Sequence, residues 1–106
     1  MSDKELISNA FQVFASEAPQ HAVAWKELIQ NLAAANALDQ KTTALAYLSV
    51  LAVLGLESGI PFHVNSAKQS GATRQEVISA VLIGLPAAGH AVTSVLPAAV
   101  NAYDTD

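Results

Sequence analysis

The sequence predicts a single all-α domain of about six helices, and three observations support this. The chain has 106 residues, which is the length of one domain, so we expect residues 1–106 to fold as one unit. Apolar residues recur at helical spacing or fill whole segments, and no segment keeps the period of two that a half-buried strand requires. Capping residues and prolines mark several helix starts. No linker or internal repeat interrupts the pattern.

The first two predicted helices are amphipathic. Ser2 and Glu5 form a capping box for the first helix, which we expect to run to about Ala18. Pro19 then restarts the chain, because proline suits a first helical turn. The second helix is expected to end near Asn36, with polar residues between its apolar ones.

The third predicted helix is apolar around nearly its whole circumference. Asp39 is its expected N-cap, and the helix is expected to span Gln40 to about Leu56. After Lys41 it carries no charge, and a helix of this kind is expected to be buried on every side. Gly55 weakens its end.

The next two helices have clear local start signals. Ser58 is the expected N-cap of the fourth helix, because Pro61 follows in its first turn, and Gly71 is expected to close that helix. Thr73 and Glu76 form a capping box that opens the fifth helix.

The C-terminal third raises the question of a membrane span. Residues 77–103 carry no formal charge and are long enough to cross a bilayer. However, prolines within this stretch would leave carbonyl groups unpaired in lipid, and no basic cluster flanks it. We therefore predict no membrane span and expect two buried helices joined near Gly89 and His90. The second of these, the sixth helix, starts at about Ala91 and is expected to be broken or kinked near Pro97.

Composition excludes several classes of function. Nine acidic and five basic residues give a net charge of −4, so no nucleic-acid partner is expected. The chain has no cysteine, which excludes disulfides and any reaction in which this chain supplies a thiolate. The polar N-terminus does not resemble a signal peptide, and a cytoplasmic location is expected.

Low charge suggests that the domain associates with itself. Only 13% of residues are charged, about half of the usual quarter, while 52% are hydrophobic. A domain this small buries only about two thirds of its unfolded surface. Much apolar surface would stay exposed on a single chain, so we expect other subunits to cover it.

Three segments in order resemble the carboxymuconolactone decarboxylase family, which includes the alkylhydroperoxidase D type. They are residues 38–42 (LDQKT), 60–64 (IPFHV) and 70–78 (SGATRQEVI), followed by a small-residue stretch around 88–89. The resemblance extends over roughly residues 19–103. It implies a small all-helical protein that assembles as a homotrimer or homohexamer, with an active-site pocket near a subunit interface.

The resemblance also shows what this chain lacks. The alkylhydroperoxidase D branch uses Cys-x-x-Cys-x-x-x-His with a glutamate on the preceding helix. The two cysteine positions correspond here to Leu56 and Gly59, and the glutamate position corresponds to about Ala44; only His63 is matched. Leucine and glycine cannot form a thiolate, so peroxiredoxin-type activity is argued against.

The branch that gives the family its name works without cysteines and decarboxylates a lactone acid. Such chemistry needs groups that hold a carboxylate and an acid that delivers a proton to carbon. His63 is the candidate general acid or base on a small apolar acid or lactone, and Glu57 is its candidate charge partner. No cofactor is expected. The candidate pocket-lining residues are Leu56, Ser58, Gly59 and His90.

Alternative interpretations remain open for these residues. His63 could be a satisfied core histidine, and Glu57 could simply end a helix and pair with Lys68 or with a backbone amide. Together with His90 these two are suitable metal ligands, but their spacing is not diagnostic and no metal is predicted. The sole arginine, Arg74, suits a solvated helix end, which leaves no obvious carboxylate clamp. A catalytically inactive small-molecule-binding or structural oligomer is therefore the alternative function.

Overall fold

The computed structural model describes residues 7–105. Within this range the chain forms seven α-helices and two 3₁₀ segments, joined by short links. No strand occurs within these residues, so the all-α class is confirmed. In chain order the elements are α1 (Asn9–Glu17), α2 (Pro19–Ala35), α3 (Gln40–Leu54), a 3₁₀ turn (Glu57–Gly59), α4 (Ile60–Gln69), α5 (Arg74–Leu82), α6 (Leu85–Ala88), a 3₁₀ segment (Gly89–Val95) and α7 (Leu96–Asp104).

Local capping sets the helix starts, as predicted in two of the clearest cases. The Asp39 carboxylate accepts a hydrogen bond from the Thr42 backbone N–H at 2.7 Å, and this contact lowers the Asp39 pKa. At the start of α5, the Thr73 hydroxyl accepts from the Glu76 N–H at 3.1 Å, while the Glu76 carboxylate accepts from the Thr73 N–H at 2.8 Å. The predicted capping box of Ser2 and Glu5 lies outside the described residues.

The start of α4 differs from the prediction. Ser58 is not an N-cap: it lies inside the 3₁₀ turn, and Gly59 is the residue that precedes α4. Gly59 already has helical backbone angles, so no extended residue remains there to offer a capping side chain. The prediction for α3 was two residues too long, because Gly55 adopts the left-handed conformation (φ 69°) and ends the helix after Leu54.

The C-terminal third also differs in detail. Helix α5 ends at Leu82, and no α-helix starts near Ala91, because Gly89–Val95 forms a 3₁₀ segment. Pro97 does not break a helix; it lies in the first turn of α7, where its missing N–H costs no hydrogen bond.

The core lies between α3, α4, α5, the second 3₁₀ segment and α7. Each element turns one apolar face inward, and helices α1 and α2 contribute no buried residue. The largest fully buried side chains are Leu48, Ile60, Val64, Val77, Val81, Val92 and Val95.

Helix α3 is not buried on every side, contrary to the prediction. The described chain supplies packing partners for one face of the helix only, so the opposite apolar face remains exposed. The buried face consists of Ala44, Leu48, Leu51 and Ala52, and the exposed face includes Tyr47, Val50, Val53 and Leu54.

The last third of the chain folds back on itself. By length and composition the helical stretch Arg74–Asp104 could cross a membrane, because a window of 18 residues within it has a mean hydropathy of 1.6. As one straight helix it would separate its ends by about 45 Å. Instead the Arg74 guanidinium donates to the Asp104 carboxylate at 2.9 and 3.1 Å. The stretch therefore forms a closed hairpin in this fold, and its middle contributes to the core.

Candidate functional site

His63 lies near the start of α4, between two aromatic rings. The Tyr47 ring, from the exposed face of α3, lies 4.5 Å from the imidazole between centroids, at a tilt of 44°. The Phe62 ring lies 5.1 Å away and meets it edge-on. Helix packing thus places a half-buried imidazole against apolar walls from two elements.

The imidazole of His63 makes no hydrogen bond to any group within residues 7–105, and no buried side-chain nitrogen in this part of the chain lacks a partner. Both ring nitrogens therefore reach solvent. Burial lowers the pKa of His63, because a partly dehydrated site disfavours the charged ring. The described structure therefore shows an imidazole with open nitrogens and a lowered pKa, rather than a hydrogen-bonded core histidine.

Glu57 lies in the 3₁₀ turn before α4, and its side chain is exposed. Within the described ranges its carboxylate forms neither an ion pair nor a hydrogen bond, so it does not contact His63 through either. The alternative pairing with Lys68 is not formed either. The Lys68 ammonium instead donates to the Tyr103 carbonyl at 2.8 Å and lies 5.0 Å from the Tyr103 ring centroid.

Three of the predicted pocket residues are neighbours in the turn that leads to His63. Leu56 and Ser58 are exposed, and Gly59 is half-buried. A Cβ atom at Gly59 would lie 3.5 Å from a Leu51 methyl group, an ordinary van der Waals distance, so a side chain could fit there.

His90 belongs to a different element. It is exposed in the 3₁₀ segment Gly89–Val95, where its Nε2 lies 3.4 Å from the Thr93 hydroxyl. That hydroxyl donates to the His90 carbonyl at 2.8 Å. The described structure shows no bond between His90 and the residues around His63.

The charged groups of the core helices are engaged elsewhere. Arg74 binds Asp104, and the Lys41 ammonium lies 2.9 Å from the Glu76 carboxylate. The hydrogen bonds between the Arg74 and Asp104 side chains, together with the attraction between their opposite charges, raise the pKa of Arg74 and lower that of Asp104. Among residues 7–105, no cation pairs with Glu57, and no three metal-ligating side chains lie together.

Two open grooves run along α3, and His63 lines neither of them. One has a volume of about 420 Å³ between α3 and α5, and the other, about 340 Å³, continues toward the α3 C-terminus. They share Ser49 and Ile83, so we treat them as one surface and name it the α3–α5 trough. None of the predicted site residues lines it. Its lining residues are Thr42, Leu45, Ala46, Ser49, Val50, Val53, Leu54, Gln75, Glu76, Ser79, Ala80, Ile83 and Gly84.

Sequence reasoning did not assign Tyr47 to the site. Nothing in the spacing of Tyr47 to His63 indicates a contact. The one available signal was a tyrosine within an otherwise apolar helix, since its hydroxyl usually needs a polar environment.

Comparison with known families gives one match. The family model described as the carboxymuconolactone decarboxylase family matches residues 19–101, which is most of the chain. The matched range includes His63 and the turn before it, and the positions of Leu56 and Gly59. Comparison with curated proteins and with solved structures gives no match.

Proposed function

Because the chain belongs to the carboxymuconolactone decarboxylase family, we propose that it is a cysteine-free enzyme of the non-thiol type. Its substrate is a small apolar acid or lactone, and His63 transfers the proton as general acid or base. Glu57, in the exposed turn before α4, acts as the charge partner of His63. Leu56, Ser58, Gly59 and His90 line the pocket.

One observation supports this proposal above the others: His63 combines open ring nitrogens with apolar walls. A neutral imidazole can accept a proton and later return it to carbon, and a pKa kept below its usual value favours the neutral form at pH 7. The rings of Tyr47 and Phe62 offer an apolar surface to the hydrocarbon part of a substrate.

Self-association is the second part of the proposal. A homotrimer or homohexamer covers the exposed apolar faces of α2 and α3. It can also supply what the site lacks, because a carboxylate substrate needs a cation or hydrogen-bond donors, and Arg74 is already occupied by Asp104.

The catalytic part is tested with substitutions of histidine. His63→Gln is expected to lower kcat/KM for an accepted lactone or keto acid by about 100-fold or more, because general acid–base catalysis contributes about that much. His21→Gln is the matched control, since His21 is exposed on α2. Equal activity of both variants would contradict the role of His63.

Thiol chemistry is outside the proposal. The chain has no cysteine, so we expect no dithiol-dependent reduction of hydroperoxides. Hydroperoxide reduction that persists in protein purified to homogeneity would contradict this expectation.

A catalytically inactive binding or structural oligomer is the second candidate. It is favoured by the absence of any charged partner for His63 within the described residues. In that case a broad panel of lactones and keto acids gives no turnover, whereas an apolar ligand raises the unfolding temperature. Turnover that is lost in His63→Gln supports the enzyme.

A further inference from the structure

We propose that helix α2 of one chain docks its apolar face into the α3–α5 trough of a second copy. The face, which we name the α2 stripe, consists of Trp25, Leu28, Ile29 and Leu32. This inference rests on the self-association proposed above, but not on any chemistry at His63.

The α2 stripe has the spacing of a helix that binds in a groove. Its four residues stand at positions i, i+3, i+4 and i+7, the pattern by which amphipathic helices anchor in apolar grooves. All four are exposed, from 43% for Trp25 to 57% for Leu32, and α2 has no buried residue. Within residues 7–105, no part of the same chain buries the stripe, so it remains available as a docking face.

The trough matches the stripe in chemistry and in length. Its exposed apolar side chains include Val50, Val53 and Ile83, and Ile83 is 69% exposed. The stripe is about 10 Å long, and the part of α3 that lines the trough is about 18 Å long. At the edge of the trough, the Glu76 carboxylate is paired with the Lys41 ammonium. The charge of Glu76 is therefore compensated, which suits an uncharged partner such as the stripe.

The link between α2 and α3 is fixed by hydrogen bonds. The Asn36 side-chain amide donates to the Thr43 hydroxyl at 2.7 Å, and its carbonyl oxygen accepts from the Leu38 N–H at 2.9 Å. Directly after it, Asp39 caps α3. With the link held in this form the α2 stripe and the trough of the same chain both remain open, and a second copy offers each the complementary surface.

The exposed area is sufficient for such an interface. The chain exposes 6875 Å², whereas a folded monomer of 11.0 kDa exposes about 5,600 Å². The difference over the whole surface, at most about 1,300 Å² because the undescribed terminal residues share in it, exceeds the roughly 800 Å² that each partner buries in a stable interface. Each chain carries one α2 stripe and one α3–α5 trough. Both surfaces of every copy are therefore covered in a closed ring, or in a pair of chains that dock into each other.

The first test changes the charge of one face of α2. Leu28→Glu places a carboxylate in the stripe, and Gln30→Glu, the matched control, places it on the opposite face. Both residues are exposed, so both variants are expected to keep wild-type helicity by circular dichroism. By light scattering after size exclusion, Leu28→Glu is expected to fall to the mass of one chain, whereas Gln30→Glu keeps the wild-type mass.

The second test uses the absence of cysteine as a clean background. A Leu28→Cys chain mixed with a Val50→Cys chain is expected to form a disulfide-linked dimer on oxidation, while Gln30→Cys mixed with Val50→Cys is not. A wild-type mass of one chain overturns both this inference and self-association. An oligomer that survives Leu28→Glu and gives no cross-link overturns the docking of α2 alone.

Discussion

The imidazole of His63 lies where the fold opposes its protonation. The rings of Tyr47 and Phe62 lie against the imidazole and partly dehydrate it, and no carboxylate within the described residues pairs with it to compensate a positive charge. Its pKa is therefore lowered by burial alone. A residue in this environment binds a proton less readily in the folded state than in the unfolded one.

This difference predicts a pH-dependent stability that His63→Gln removes. The unfolded chain takes up the proton near pH 6.5 and the folded chain only at lower pH. The contribution of His63 to the free energy of unfolding is therefore fully present above about pH 7 and is lost as the pH falls. We expect the free energy of unfolding of the wild type, relative to His63→Gln, to decrease between about pH 7 and pH 5. Urea unfolding at a series of pH values measures it.

Three carboxyl groups with lowered pKa values titrate below this range. The carboxyl groups of Asp39, Glu76 and Asp104 have pKa values lowered by hydrogen bonds, so their contributions are lost below about pH 4.5. A wild type that gains stability relative to His63→Gln on acidification would mean that an acid faces the ring in solution, and the proposed uncompensated site would be wrong.

The sequence located part of this site and not the rest, for a physical reason. His63 and the turn Glu57–Gly59 are close in sequence, so their proximity in space follows from local structure. The Tyr47 contact depends on how α3 and α4 pack, which no local pattern determines. Likewise, Lys68 binds the Tyr103 carbonyl rather than Glu57 because α7 folds back beside α4.

At the scale of the elements, the helix starts with a side-chain cap at Asp39 and Thr73 were predictable, whereas the segment before the last helix was not. The caps at Asp39 and Thr73 depend on contacts within four residues, so the sequence is sufficient to place them. Within the 3₁₀ segment Gly89–Val95, residues 91–95 were predicted as the start of the sixth α-helix. The 3₁₀ segment places Val92 and Val95 in the core, and this packing determines its form over local propensity.

The two glycines around the first 3₁₀ turn provide a matched pair of substitutions. Gly55→Ala is expected to destabilise the fold by about 1 kcal/mol, because Gly55 has φ 69° and a Cβ atom is strained there. Gly59→Ala is expected to stabilise it by about 0.4–1 kcal/mol, because Gly59 has ordinary helical angles and its Cβ would contact Leu51. Chemical denaturation of both variants measures the difference.

The two glycine substitutions separate the effect of backbone conformation from the effect of added side-chain volume. Neither site would be overpacked by a methyl group, since nothing lies within 4 Å of a Cβ at Gly55. Equal effects at Gly55 and Gly59 would therefore show that backbone conformation does not determine the end of α3.

For the whole molecule, the low charge of the sequence has a structural counterpart. The core uses one face of each inner helix, and the uncharged remainder lies on the surface of the chain, most visibly on α2 and α3. Sequence patterns correctly indicated that these helices are apolar. They could not distinguish burial within one chain from burial between chains, because both produce the same composition.

This distinction leads to a last prediction, on thermal unfolding at different protein concentrations. If subunits cover these faces, unfolding is coupled to dissociation, and mass action raises the midpoint with concentration. For a trimer of chains this size we expect roughly 4 °C for each tenfold increase. Leu28→Glu should unfold at a midpoint independent of concentration, which makes it the internal control. If the unfolding midpoint of the wild type does not change with protein concentration, single chains are stable with Trp25 and Ile83 exposed to solvent. Association would then not account for the low charge of the sequence.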